Sequence, residues 1–567
     1  MIFPVPKSLK LLAESVNNIK HLAETDSPKL YLVGGAIRDI LNGSKPKDYD
    51  LCLTGFTTML QARDFLIMLG DCIMVGLNMP VFRFSPLSHL SPELPTIYEI
   101  ALARIENSQD FSSYNDIEFV FEVDGRPVTI LEDLERRDIT QNSMALDFLT
   151  AELIDPFGGY DDIKNGIIRA TNLGLFKTSI ERPLRIGTVL ARDYKSFKSF
   201  DTEVDTNLVS LCREMRSHAG ISLTHHQSRR ANLSAIPREQ LWLQFEKALV
   251  SPRFDKFIEW LREIGWVNSF IELKELIGCP QDPKQHPEGD VWNHTLHTIR
   301  EMQLLINNRT DITDDERKVL LLAALCHDMD KPIAIQVFNE NKIELANTFT
   351  TVIEFVVSRE YDPEKHKITN HRHDYCYRAS DFLSFIGCTI EIIDRVSRLC
   401  KSHMDHLNFT GKITKRQIAR LMRRIAPSTI DKLYLLMKAD HFARPPLPKV
   451  VPNSIDDMIN ASKEIKLDDD NKPYCPIQGR HLIRWGLSES GQGWSKPYFG
   501  DPDREDTIIG IIYLAQLDGF FGDHNSPDPH LVEKWVRRVN WSSVFSILHC
   551  NSDEVLKQYP KEVIYEP

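Results

Sequence analysis

The chain has 567 residues, 42% of them hydrophobic and 26% charged, an ordinary globular composition that is long enough for three or four domains with separate cores. Its net charge of −12 excludes a protein coated in basic surface but leaves room for a local basic groove. Ten cysteines without a CxxC pair point away from a disulfide framework or a cysteine zinc site, and no stretch approaches the ~20 apolar residues of a membrane span. The expectation is a soluble, unexported, cytoplasmic protein with reduced thiols and no membrane partner.

Residues 1–28 read as a helical extension. Between 29 and 171 the short apolar runs KLYLV, DLCLT, PVFRF, IYEIALAR, IEFVFEV and VTIL, broken by turn residues, predict strands of a mixed α/β sheet. From 172 to 284 apolar residues recur at three- and four-residue spacing, as in PLRIGTVLARDYKSF, REQLWLQFEKALV and FDKFIEWLREIGWV, and predict helices. The proline-rich stretch CPQDPKQHPEGD (279–290) reads as a boundary, and ARPPLPKVVPNS (443–454) as another. These divide the remainder into 285–445 and a helical tail, 446–567. There is no tandem repeat. Two basic clusters, GKITKRQIARLMRRIAPS (411–428) and Arg182, Arg185, Arg192, Lys195 and Lys198, read either as solvated helix faces or as RNA contacts.

The chemistry concentrates first in YLVGGAIRDILNGSKPKDYDLCLT (31–54). A strand's period of two puts Asp48 and Asp50 on one face, and such adjacent carboxylates suit Mg²⁺, a hard cation that shares its oxygen ligands with phosphates. Gly34 and Gly35 remove Cβ atoms where triphosphate oxygens could approach backbone N–H groups at a helix start, and Arg38 adds positive charge one turn in. Taken singly, a Gly-Gly turn or an Asp-x-Asp is more often structural.

In this order the pieces resemble motif A of the polymerase-β-like nucleotidyltransferases, specifically class II tRNA CCA-adding enzymes and bacterial poly(A) polymerases. ALARIENS (101–108), LEDLERRDITQNSMALD (131–147) and LIDPFGGYDDIKNGIIRAT (153–171) resemble later segments of that family's catalytic head. The resemblance implies an α+β polymerase-β-like head followed by an all-α neck, body, metal-binding domain and helical tail. It implies Asp48 and Asp50 as catalytic Mg²⁺ ligands, with Gly34, Gly35, Arg38, Arg137, Asp138, Asn142 and Arg185 binding the nucleotide. CTP and ATP would be the substrates, and the 3′ end of tRNA or another structured RNA the partner.

The base-reading run departs from that pattern. In SIERPLRIGTVLAR, Arg182 stands where the family has an aspartate, and Thr188 and Ala191 stand where it has arginines, with Arg192 one position away. A guanidinium donates hydrogen bonds and cannot accept them, so Arg182 cannot receive the amino group of cytosine or adenine. Further on, Gln240 and Gln244 replace an arginine and a glutamate of the neck. Addition of A alone, or of another nucleotide set, is the alternative this leaves open.

Beyond residue 285 the segments VWNHTLH, LLLAALCHDMDKP, NHRHDYCYRA, CKSHMDH and LMKADHFARP follow one another on apparent helices. A lone histidine there would be a core residue, but the ordered set resembles the HD phosphohydrolases, whose imidazoles and carboxylates hold one or two divalent metals. The resemblance implies His294, His327, Asp328 and Asp440 as ligands of one metal (Mg²⁺, Mn²⁺, Ni²⁺ or Co²⁺), with His373 and His403 completing a second, and hydrolysis of phosphate ends. A third reading makes the head an inactive RNA-binding module and this domain the working hydrolase. The segment PIQGRHLIRWGLSESGQGW (476–494) resembles the family's C-terminal helical motif and reads as structure, with RNA contact left open.

Overall fold

The computed structural model describes residues 7–19, 28–44, 46, 48–76, 80–87, 97–107, 117–192, 202–218, 236–338, 344–346, 367–370, 377–409, 413–467, 471, 475, 477–485, 508–541 and 552–561. The chain divides into two compact units, Met1–Lys274 with Phe385–Gly387, and Glu275–Ser384 with Cys388–Pro567. No helix among the described residues is long and apolar enough to cross a membrane.

The first unit is built on a seven-stranded mixed sheet. Its strands are β1 (Lys29–Val33), β2 (Asp50–Thr54), β3 (Gly70–Val75), β4 (Val81–Pro86) and β5 (Tyr98–Leu102), joined after an excursion by the short strands Ala145–Asp147 and Leu153–Ile154. Reading across, the order is Leu153–Ile154, Ala145–Asp147, β1, β2, β5, β4, β3. Only β2 and β5 run parallel, with Asp50 opposite Glu99, and every other neighbouring pair is antiparallel.

Strand alternation sorts the core into two. Leu30, Leu32, Leu51 and Leu53 face helix α1 (Lys7–Asn18), α2 (Gly35–Leu41) and α3 (Met59–Ile67), burying Leu12, Ile37 and Phe65. The intervening Tyr31, Val33 and Cys52 face helix α4 (Ile130–Glu135), with Leu134 and Val128. Asp50 shares the parity of Cys52, so the strand's period aims it at the α4 side.

Two expectations change in this region. VTIL is not a strand: Thr129 caps α4 in a capping box with Glu132, and Ile130 already belongs to the helix. GDCIMV, which the apolar runs did not single out, forms the edge strand β3.

The helices that follow pack on one another through a small residue. A Cβ on Gly187, in helix Arg182–Leu190, would lie 2.7 Å from the Phe257 ring of helix Phe254–Glu263, whose Trp260 donates its indole N–H to the Pro183 carbonyl at 2.8 Å. In the second unit, helices Val291–Ile306, Asp314–Cys326 and Ile430–Phe442 pack together, and helix Ile390–Ser402 packs on Asp314–Cys326.

Candidate functional site

Two separate constellations emerge, one in each unit. In the first, β1 runs through Gly34 into α2. Gly34 adopts φ +71°, the left-handed region that favours glycine. A Cβ there would sit 3.3 Å from Arg137 Nη1 and 3.4 Å from Asp50 Oδ2, so the bare backbone lets a guanidinium and a carboxylate converge over the turn. Asp50 opens β2 at the sheet's accessible end, and Asp48 lies just before the strand. The surrounding protein raises the Asp50 carboxyl, Arg137 opposes that shift, and the like charge of Asp48 adds to it. Two carboxylates that repel one another in this way fit a divalent cation.

Arg137 is held by Asp133, which is completely buried. Asp133 accepts from Arg137 Nη2 and from Arg136 Nη2, both at 2.8 Å. Burial would raise this carboxyl, but the Arg136 and Arg137 charges outweigh it and hold it well below the usual range.

A second chain of bonds links the other residues implied by the family pattern. Arg38 Nη1 donates to Asn142 Oδ1, Asn142 Nδ2 donates to Asp138 Oδ1 at 2.9 Å, and Asp138 Oδ2 pairs with Arg185 Nε at 3.0 Å. The Asp138 carboxyl, which burial would raise, is brought down to about 2, chiefly by Arg185 and the Asn142 hydrogen bond. Arg38 is buried and acts within this chain, whereas the Arg185 side chain is 47% exposed and accessible to a ligand. The closing segment abuts the same region: a Cβ on Gly159 would come 2.2 Å from the Thr140 carbonyl oxygen.

Arg182 lies outside that ligand-facing set. Its guanidinium is buried, donating to Glu106 Oε2 at 2.7 Å, the Leu175 carbonyl at 2.5 Å and the Arg136 carbonyl at 2.9 Å. Thr188 turns its hydroxyl onto the Arg185 carbonyl at 2.7 Å, Ala191 is fully buried, and Arg192 pairs with Asp39 at 3.0 Å. Gln244 is buried in helix Arg238–Leu249. The same helix carries Lys247, which the motifs did not flag. Burial, with Arg185 and Arg192, lowers the Lys247 ammonium, and Asp50 and Asp138 oppose that shift, which sets this lysine in the electrostatic environment of the carboxylates.

In the second unit the histidines converge on one centre. His327 Nδ1 donates to the Ala324 carbonyl at 2.9 Å and His403 Nδ1 to the Cys400 carbonyl at 2.6 Å. Carbonyls only accept, so each ring carries its proton on Nδ1 and leaves Nε2 as a lone-pair donor. His294 presents Nε2 to Asp440 Oδ1 at 3.0 Å and to Asp328 Oδ2 at 3.7 Å.

Donor atoms of His294, His327 and Asp440 all lie within 4.8 Å of one another. The buried Nε2 of His327 points at the same cluster, 3.1 Å from Asp328 Oδ2, so this donor set of imidazole and carboxylate fits a divalent metal. Asp328 and Asp440 are drawn well below the usual carboxylate range against the effect of burial, by His327 and Lys331 in the first case and by His294 in the second. His373 lies outside the described residues.

Four residues of this centre were not marked by the histidine pattern. Lys331 pairs with Asp328 Oδ2 at 2.7 Å and donates to Gln281 Oε1 at 2.7 Å. Glu288 accepts from His294 Nδ1 at 2.8 Å and from His286 Nδ1 at 2.9 Å. Gln281, His286 and Glu288 come from the proline-rich stretch that reads as a boundary. Its HPEGD sequence, one turn ahead of the first histidine, was the available signal.

Residues 30–169 match the family model described as the poly A polymerase head domain, a stretch that contains the sheet and its Gly34–Asp50–Arg137 turn. A "Multifunctional CCA protein" of Pasteurella multocida is 33% identical over 307 residues, which cover 54% of this chain and 63% of that protein. Its counterpart in Actinobacillus pleuropneumoniae is 34% identical over 305 residues, covering 53% and 64%. The match thus spans less than two thirds of these relatives.

Among solved structures, a Bacillus stearothermophilus CCA-adding enzyme in complex with CTP aligns with TM-score 0.56 at 14% identity over 96% of this chain and 100% of that one. The apo form II of a CCA-adding enzyme aligns with TM-score 0.52 at 17% identity, over 90% and 92%. The architecture, an α/β head with a mixed sheet and a mostly helical remainder, is therefore that of these enzymes.

Proposed function

We propose that the chain is a metal-dependent nucleotidyltransferase that adds CMP and AMP to the 3′ end of tRNA. The observation that carries this reading is the convergence of Asp50 and Arg137 over Gly34, inside a head of the poly A polymerase type and beside the chain Arg38–Asn142–Asp138–Arg185. Asp48 and Asp50 would hold Mg²⁺, which when bound offsets charge at the phosphate under attack. Arg137 stands ready for a phosphate, held in place by Asp133. Asp138 and Asn142, bonded to each other and to Arg185 and Arg38, would set the wall against which the sugar lies, and Arg185 offers an accessible guanidinium for the nucleotide. Supplying the protein with tRNA lacking its last three nucleotides, and with each labelled NTP singly and in pairs, tests the reading. Products ending in CCA support it; absence of any incorporation overturns it.

A second reading, addition of A alone or of another nucleotide set, is favoured by Arg182, which offers no acceptor to a base and is bonded inward. The same assay decides, because the sequenced product reports the nucleotides added.

For the second unit we infer a divalent-metal centre held by His294, His327, Asp328 and Asp440, with His403 beside it, that hydrolyses phosphate esters at RNA ends. The ion would supply a water activated for attack. Lys331, paired with Asp328 at the rim, is placed to attract the phosphate, and the Nδ1 bonds of His327 and His403 hold both rings in register. The domain limits 29–171, 172–284, 285–445 and 446–567 stay part of this proposal.

A further inference from the structure

The loop ahead of helix Val291–Ile306 is built more tightly than a linker needs. Asp290 caps the helix by accepting from Asn293 N at 2.9 Å and also accepts from Gly278 N at 2.7 Å, and the Val291 N–H returns to the Cys279 carbonyl at 3.0 Å. These bonds close the loop on itself. Gly289, at φ +111°, takes the turn that a side chain would strain. What the loop delivers is Glu288, whose side chain is entirely inaccessible.

A buried carboxylate needs a reason to stay charged. Its Oε1 receives two imidazole N–H groups, from His294 at 2.8 Å and His286 at 2.9 Å, while its buried Oε2 has no hydrogen-bond partner among the described residues. Since a carboxylate accepts, His294 carries a proton on Nδ1; the same rule puts one on Nε2, 3.0 Å from Asp440 Oδ1, and a cation bound between His294, Asp440 and Asp328 would take the place of that second proton and receive the Nε2 lone pair. His327 and His403 reach the same tautomer through backbone carbonyls. His294 alone reaches it through an ionised side chain, which strengthens the opposite nitrogen as a donor more than a neutral carbonyl does.

We propose that Glu288 is a positioning residue for the histidine–aspartate centre, fixing His294 in the Nδ1–H tautomer and raising the donor strength of its Nε2, with His286 as the second N–H that holds the carboxylate in place. This inference rests on the reading of that centre as a metal site.

Co²⁺ titration of the full-length protein tests it, by calorimetry and by the visible ligand-field absorption, with Glu288→Ala, Glu288→Gln, His286→Ala and His327→Ala compared with wild type. Loss of such an outer carboxylate weakens metal binding by about ten- to a hundredfold. Glu288→Ala should show that loss together with a shifted absorption band. Glu288→Gln, which keeps an acceptor without the charge, should recover part of the affinity. A merely structural role would lower the melting temperature while leaving affinity and spectrum of the folded fraction unchanged, and that result overturns the proposal. So does a second equivalent of Co²⁺ that disappears in His286→Ala, because Glu288 would then be a ligand itself. Wild-type protein that binds no Co²⁺ defeats the metal reading, and binding that survives His327→Ala shows that the ion sits elsewhere; either is distinct from the failure of Glu288 alone.

Discussion

Arg182 shows how far one residue type can be read. The sequence establishes that it cannot accept a hydrogen bond from a base; it does not say where its donors go, because Glu106 lies 76 positions away and two of its acceptors are backbone carbonyls. Arg182→Asp would set a second carboxylate against Glu106 in a buried site, and breaking a buried pair costs about 3–5 kcal/mol. The expected outcome is a large fall in melting temperature, with kcat/KM for the four NTPs reduced alike in the folded fraction. Sharper selection of CTP and ATP over UTP and GTP would instead show that this position reads the base.

Asp138 permits a pH prediction. Its carboxyl lies at about 2 in the folded protein against an ordinary 3.8, so its contribution is complete above about pH 4 and is lost as pH falls toward 2. The full shift corresponds to about 2 kcal/mol, of which about 1 is gone by pH 3. Asp138→Asn should be less stable than wild type near neutrality, and urea unfolding from about pH 5 to pH 3 should show the gap narrowing by roughly 1 kcal/mol. A constant gap would mean that Arg185 and Asn142 do not hold the carboxylate down. The family motifs made Asp138 legible in the sequence. Glu288, Gln281 and Lys331 were not, because their roles arise from partners that only the loop's folding brings within bonding distance.

At the scale of elements, periodicity carried most of the information where one face is buried. Leu30/Leu32 and Leu51/Leu53 announce their strands, and they fix the face on which Asp50 lies. It failed where local capping outweighs composition, as in VTIL, and on the edge strand β3, whose exposed Ile73 and Met74 break the alternation. Charge patterning was ambiguous for helix Lys415–Ile425, and the structure gives the bland answer for several of its cations. Lys415 pairs with Glu464 at 3.3 Å, Arg416 with Asp518 and Arg424 with Asp405, while Arg423 stacks 3.6 Å over the Tyr513 ring. The helix thereby braces segments on both sides of it in sequence. Arg416→Ala or Arg424→Ala should cost at most about 1 kcal/mol, since such accessible pairs are weak. Neither should change the salt dependence of RNA binding, whereas loss of a phosphate contact would lower the slope by about one. A lower slope would return this helix to the RNA surface.

At the scale of the whole molecule, composition and motif order indicated several bodies, and contacts divide the chain once, between Lys274 and Glu275 with a short exchange at Phe385–Gly387. The cut falls just ahead of the proline-rich stretch because that stretch is tied into the second unit: its Val291 and Trp292 N–H groups return to Cys279 and Leu276. The two constellations thus belong to different units, each with its own core, and their chemistry should separate. Asp50→Ala should abolish nucleotide incorporation, a fall of roughly a thousandfold or more for the loss of several kcal/mol at the transition state, while leaving Co²⁺ affinity at the histidine centre unchanged. His327→Ala should do the reverse, removing metal binding and any phosphate-ester hydrolysis while sparing incorporation. Single-turnover incorporation and Co²⁺ titration on the same preparations read both. Retention of a tenth of wild-type transfer in Asp50→Ala would sink the assignment of that carboxylate. Loss of both properties in either variant would show that the units are energetically one, since a substitution confined to one core could then reach the other only by destabilising both.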